Sequence, residues 1–558
     1  MAPAWQDVAD DKRRQRYSAY PAEWLLSQEY LDNLPEDHNA IKSMSDSDMW
    51  TSREFAYFKA DGTALVERIA RRDEGYTAME VTKAYCKRAC VADQLLNCIS
   101  EPLFERAMTR AEFLDDYMEK HGKPIGPLHG LPMSLKDQFN IEGVITSLAY
   151  VGRAGCVAEY TSPIVTILEN AGAIIIAKTT VPVSMMIWET KSNLFGTTRN
   201  PHDRSLTPSG SSGGEGAMVA FGGSAVGLGS DIGGSIRTPA FCCGIYGLRP
   251  SHGRTPDLDV ETTLPGLEAI RSTIGPLARS ARDLDLVFRT IIDASPWKHD
   301  PVCLPIEYTP VVLTRKISFA WSMGDSVLSP SPPVARAMNR VRRALENLGH
   351  EVVEWTYPEP RELETLFDEL VHIAGDRGEG VAEELARGNE PWIESIREVV
   401  CPDSALPRIS SWYALMVRQY RRQQYQIRYF REWQKTSEIT ATGRPFDALI
   451  QPILTEPAWK FGNDFPYSYT VLAPILDLSS AAFPVPLVEG QDELPNWEPS
   501  GIRSNGVSVI DHGLENKTHI PVGLQVIAGR LEDEKVLAVT SLISAALESL
   551  SAAETEDA

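Results

Sequence analysis

The sequence predicts an α/β protein in which helices of amphipathic spacing alternate with short, fully apolar strands inside one large domain. Three observations carry this. Residues 82–96 repeat apolar side chains at intervals of three and four, the period of a helix with one buried face. Residues 171–178, Ala-Gly-Ala-Ile-Ile-Ile-Ala-Lys, make a continuous apolar run after a helical pattern, as a strand covered on both faces does. No Gly/Ser- or Pro-rich linker interrupts the alternation over 558 residues, which favours one domain over two.

Residues 1–75 are rich in helix formers and broken at Pro21, Pro35 and the Asp46–Asp48 cluster. They predict a helical N-terminal segment packed on a main domain of 76–545. Between about 124 and 256 the texture changes to short apolar runs bounded by Gly and Pro. Beyond 256 helices and strands alternate again, with 446–452 the clearest later strand. Cys86 and Cys90 share one face of the first long helix, where core packing explains them better than ligation. Residues 418–431 interleave arginine with aromatics, as RNA-binding faces do. Tyr413, Val417, Tyr420, Ile427 and Phe430 recur there at helical spacing, which predicts an amphipathic helix with a solvated basic face. The polar stretch 489–517, with its Asn505-Gly506 turn signal, reads as a long surface loop, and 546–558 as a disordered tail.

Charge and cysteine content exclude several function classes. Lys and Arg total 54 against 76 Asp and Glu, a net charge of −22, which repels phosphate backbones and anionic membranes. Hydrophobic residues at 43% and charged residues at 23% exclude a mostly disordered chain. The N-terminus shows no apolar signal region and no run reaches the length of a membrane span, so a cytoplasmic protein with no integral membrane segment is expected. Eight cysteines without Cys-x-x-Cys spacing predict neither a disulfide framework nor a zinc site.

The chemistry concentrates in one stretch. Ten of the 39 glycines fall between Ser209 and Ser235, too many for a strand and suited to letting backbone amides approach a ligand. Phosphate cradling is weak here, because Gly227-Leu-Gly229-Ser-Asp-Ile232 misses its last glycine. A nucleophile elbow at Gly210–Gly214 fails because loop residues 200–208 precede it, where the motif requires a strand. The third use is an oxyanion hole: Asp231-Ile232-Gly233-Gly234-Ser235 offers consecutive N–H groups beside a hydroxyl, with Asp231 and Arg237 able to pin the turn as an ion pair. A serine nucleophile needs a base. His129, His202 and His252 sit in turn-like contexts with bland surface roles, whereas Lys136 ends a short apolar run and serves as a base only if burial lowers its pKa.

Together these segments resemble the amidase signature family. The lysine segment runs from Gly126 to Asp137, the serine–glycine signature from Gly210 to Ala217, and the nucleophile motif Asp-x-Gly-Gly-Ser-Ile-Arg from Asp231 to Arg237. Asn193–Pro201, Gly244–Pro250 and Pro521–Val526 are further landmarks, and the likeness spans roughly 60–545. Length and helical N-terminus look most like the fungal acetamidase-type branch. Ser209, and Ala149 after Thr146-Ser147, stand where the family usually or often has glycine, and 489–517 looks like an insertion.

The resemblance implies a single α/β/α domain with a central mixed sheet and an amide hydrolase that works through an acyl-enzyme. It implies Ser235 as nucleophile, Ser211 (after a cis peptide) as relay and Lys136 as base. The amides of Ile232, Gly233, Gly234 and Ser235 would form the oxyanion hole, with Ser212, Asp231 and Arg237 in support. Met185 and Trp188 lie where the family places acyl-pocket residues, and core packing of both is the equal alternative. It implies no cofactor and no metal, a small-molecule amide as partner, no nucleic acid, and a possible homodimer. The rival readings are a glutaminase-type amidotransferase subunit and a non-hydrolytic binding or scaffold protein.

Overall fold

The computed structural model describes residues 4–556 except 46, 324–328, 373–377, 401–410, 463–467 and 487–519. The predicted loop at 489–517 therefore lies outside the described residues.

The strands, in chain order, are β1 (Ile99–Pro102), β2 (Pro132–Lys136), β3 (Ile174–Thr179), β4 (Lys191–Ser192), β5 (Gly196–Thr197), β6 (Val226–Asp231), β7 (Tyr246–Arg249), β8 (Thr273–Ala278), β9 (Ser318–Trp321), β10 (Glu351–Glu354), β11 (Ala448–Gln451), β12 (Ser480–Val485) and β13 (Val522–Ile527). Eleven of them form one sheet in the order β1-β3-β2-β6-β8-β7-β12-β13-β11-β9-β10, and β4 and β5 make a separate ribbon. The sheet is mixed. Strands β3, β2 and β6 run parallel, β6 to β13 pair antiparallel, and β11, β9 and β10 are parallel again. The central strands β2, β3, β6 and β8 are buried along their whole length, which is why their sequences are continuous apolar or small-residue runs.

Helices cover the sheet. Ala78–Leu96 starts at a Thr77 cap and ends at Asn97 in the left-handed region, and its inward face buries Cys86 and Cys90 in the core. The N-terminal helices are tied down by polar anchors as well as apolar contact. The Arg16 guanidinium donates to the carbonyl of Ile99 at 2.6 Å and pairs with buried Asp93, and Trp24 packs edge-on against Phe104.

Two helices correct the sequence reading. Residues 546–556 were expected to be a disordered tail, yet the helix Asp533–Glu556 continues through them. Arg340 holds it there, pairing with Glu554 at 2.7 Å. This helix is long and apolar enough by composition to cross a membrane. In the fold Val536, Val539, Ile543 and Leu547 are instead buried against β12, β13 and the helices Ala281–Asp293 and Pro332–Asn347.

The second correction is the helix Trp412–Lys435, which faces the opposite way from its predicted orientation. Trp412, Tyr413 and Tyr420 are 84%, 74% and 60% exposed, while Tyr425 and Tyr429 point inward. Three arginines turn toward the protein: Arg422 donates to the Ile475 carbonyl, Arg421 pairs with Glu369 and Arg428 with Glu362. A 3.6-residue period identifies an apolar stripe, but arginine stems pack well enough for the basic face to dock when carbonyls and carboxylates receive it.

Candidate active site

Two neighbouring parallel strands bring the predicted groups together. Lys136 is the last residue of β2 and Asp231 the last of β6, and Leu135 pairs with Leu228 across them. Ser211 sits in the loop just before the helix Gly213–Phe221, and Ser235 in the turn before the helix Arg237–Cys243. Lys136 and the Ser235 turn lie at the carboxyl ends of the parallel strands β2 and β6, where α/β sheets leave a crevice, and the Ser211 loop meets them there. Ser211, Ser230, Ser235, Ile232 and Met185 line one cleft of about 520 Å³, walled on the far side by residues 257–274.

Lys136 is fully buried, and its Nζ donates to Ser211 Oγ at 2.7 Å and to Ser230 Oγ at 2.8 Å. Burial pushes its pKa down from 10.5 to about 7, against the opposing pull of Asp231 and Glu215. A lysine of that pKa is a usable base near neutral pH. The Gly210–Ser211 peptide is cis. Among the described residues, Ser235 Oγ makes no hydrogen bond, while the Ser235 carbonyl accepts from the Ser212 N–H at 3.2 Å. Ser212 thus ties the Ser211 loop to the Ser235 turn.

Asp231 builds that turn. Its Oδ1 accepts from the Gly234 N–H at 2.7 Å and its Oδ2 from the Ile236 N–H at 3.2 Å, while Arg237 binds both oxygens at 3.0 Å. Burial alone would raise the Asp231 pKa, but the Arg237 guanidinium overrides it and holds the carboxyl below its usual range. Gly234 has φ +132°, a left-handed value, and a Cβ there would come within 3.0 Å of Thr470. One predicted role changes here. The Gly234 N–H is committed to Asp231, so the amides facing no internal acceptor among the described residues are those of Ile232, Gly233 and Ser235.

Other expectations divide. Met185 lines the cleft, whereas Trp188 packs against the main core and is not among the cleft-lining residues. His129 is buried, not a surface group, and its Nδ1 accepts from the Ile125 N–H. Three side chains at the site were not singled out from sequence. Ser230 and Gln138 contact Lys136 directly and through one hydroxyl. Glu215 is buried beneath them, accepting from Ser134 Oγ at 2.6 Å and Thr179 Oγ1 at 2.7 Å, and burial raises its pKa to about 8. A carboxylate inside the run Gly-Gly-Glu-Gly-Ala-Met was the available signal, because an apolar helix tolerates such a group only when partners await it. No group of His, Cys, Asp and Glu among the described residues is arranged to hold a metal ion.

Fold and site together define an amide-hydrolysing enzyme class, and comparison with known proteins gives the family. The family model described as Amidase matches residues 80–537, and the chain belongs to that family. It is 33% identical to an acetamidase of Aspergillus oryzae, with 97% of this chain and 98% of the relative covered. It is 32% identical to an acetamidase of Emericella nidulans, covering 97% of each. Among solved structures it superposes on a fatty acid amide hydrolase with a TM-score of 0.87 at 28% identity, over 97% of this chain and 95% of that one. A bacterial aryl acylamidase shares the fold, with a TM-score of 0.68 at 20% identity over 87% and 96% of the two chains.

Proposed function

We propose that this amidase cleaves the C–N bond of a carboxylic acid amide through an acyl-enzyme, with Ser235 as nucleophile, Ser211 as proton relay and Lys136 as base. The observation that carries the reading is the 2.7 Å contact of a buried, pKa-lowered Lys136 with Ser211, at a cleft that also holds Ser235. Neutral Lys136 takes the Ser211 proton as Ser211 takes that of Ser235, and Ser235 Oγ bonds to the amide carbon. The oxygen that gains charge faces the amides of Ile232, Gly233 and Ser235, donors already oriented by the Asp231–Arg237 turn. The proton then returns through Ser211 to the departing nitrogen, releasing ammonia or an amine, and water hydrolyses the ester by the same relay.

The substrate class this supports is a neutral or cationic amide. The cleft wall mixes apolar side chains, among them Met185, Met186, Ile232, Leu264, Leu267 and Ile270, with the charged Asp257, Asp259 and Arg271. The net charge of −22 disfavours carboxylate-bearing ligands. Turnover of aliphatic and aryl amides by purified protein, and labelling by a fluorophosphonate probe, test the reading. Ser235→Ala is expected to abolish both with the fold intact. Labelling that persists in that variant removes Ser235 as the nucleophile.

A further inference from the structure

We infer that Gln138 is a positioning residue that sets the direction of the proton relay, by forcing the Ser230 hydroxyl to accept from Lys136. The inference rests on the reading of Lys136 as base and Ser235 as nucleophile. Ser230 Oγ lies between two partners, 2.8 Å from Lys136 Nζ and 2.7 Å from Gln138 Oε1. A carboxamide oxygen only accepts, so the single Ser230 hydrogen goes to Gln138 and only a lone pair remains for Lys136. The orientation of the Gln138 amide is fixed independently. Its Nε2 donates to the Glu261 carbonyl at 3.4 Å, and turning the amide over would set two oxygens against each other there.

The consequence falls on the base. A neutral amine has two N–H groups and one lone pair. With Ser230 able only to accept, it takes one N–H, and the lone pair is left for Ser211, the other hydroxyl in contact with Nζ. Without Gln138, the Ser230 hydroxyl is free to donate to Lys136 and compete with the productive proton from Ser211. Gln138 and Ser230 are both cleft-lining, and the Gln138 carbonyl also receives the Glu261 N–H at 3.0 Å. The wall that faces the substrate is therefore joined to the base by one side chain.

The test follows labelling of Ser235 by a fluorophosphonate probe, which needs no knowledge of the substrate. Gln138→Leu is expected to slow labelling about ten-fold, the worth of one misdirected hydrogen bond. Ser230→Ala added to it removes the competing donor, so the double variant should label no slower than Ser230→Ala alone. Costs that multiply, or a Gln138→Leu rate equal to wild type, overturn the inference. Should Gln138→Leu fail to fold, Gln138→Glu keeps an acceptor for Ser230, gives up the donor to the Glu261 carbonyl and adds a negative charge near Lys136. Its labelling should then rise with pH about one unit later than wild type. The other titratable groups around the site are the same in both proteins: Asp231 and Glu215 facing Lys136, Arg237 and Arg249 beside Asp231, Glu261 held by Arg153, and Asp257, Asp259 and Arg271 on the cleft wall. An unmoved profile overturns the inference. Labelling that survives Ser235→Ala instead defeats the underlying reading, so the two failures are separable.

Discussion

Two buried lysines on adjacent strands, Lys136 and Lys178, meet different fates. Strands β2 and β3 run parallel with Leu135 opposite Lys178 and Lys136 opposite Thr179, so the pleat sends the two amines to opposite faces of the sheet. Burial lowers the pKa of both. Lys178 donates to the Ile145 carbonyl and Thr146 Oγ1, each at 2.7 Å, with Asp137 at 3.9 Å. Asp137 in turn gathers Ser100 Oγ and the N–H groups of Ser147 and Leu148. The Lys136 contacts are two hydroxyls that line the cleft. On the proposed mechanism, desolvation alone therefore does not make a catalytic base. The amine must also touch a group that can exchange a proton with something outside the core.

Lys136→Met should break the comparison most sharply, lowering kcat/KM by about 10³-fold or more, as loss of a general base does. In wild type, turnover should rise with pH through about 7, because the proposed mechanism uses the neutral form. Stability follows the same sign with pH. The folded state holds Lys136 less protonated than the unfolded chain between about 7 and the ordinary lysine value of 10.5, so its cost to folding is greatest below about 7 and fades as pH rises through that window. Lys136→Met should therefore raise the unfolding midpoint at pH 6 while removing activity. A lowered midpoint there would contradict the burial argument.

Asp231→Asn is next in size. It leaves the fully buried Arg237 guanidinium without its counter-charge, at a cost of about 3 kcal/mol by denaturant titration, and loosens the turn proposed to hold the oxyanion. Lys178→Met should cost about 2 kcal/mol, because a buried carbonyl and hydroxyl lose their donor. Its pH profile per folded molecule should match wild type, and a displaced profile would erase the distinction between the two lysines. The smallest effect belongs to Ser209→Gly. Ser209 has φ +67°, a left-handed value that glycine adopts freely, so the substitution should gain about 1 kcal/mol by thermal melting. Ala149, beside the Lys178 network, has φ +63°, but its buried methyl offsets the relief and the gain there should be smaller.

Much of the scaffold was legible because its signals are local. The 3.6-residue period of 82–96 became the helix Ala78–Leu96, and the apolar run at 171–178 became β3. The orientation of Trp412–Lys435 was not legible, since periodicity marks a stripe without saying what will cover it. The end of Asp533–Glu556 was missed for a related reason: Glu554 reads as a tail charge until Arg340, 214 residues away, is seen beside it.

The candidate site divides along the same line. By itself the sequence determined which chemical groups are present and how they cluster along the chain: Lys136, the serines at 211 and 235, and the glycines between them. Motif spacing is covalent, and covalent order is what a sequence records. Only the tertiary structure decided which atoms meet and in which direction protons point between them. Lys136 and Ser211 are 75 residues apart, and Ser230 reaches Gln138 across 92. Even within the local turn, the Gly234 N–H faces Asp231 rather than a substrate oxygen. Hydrogen-bond polarity is a property of the closed network, fixed only when every donor has found its acceptor.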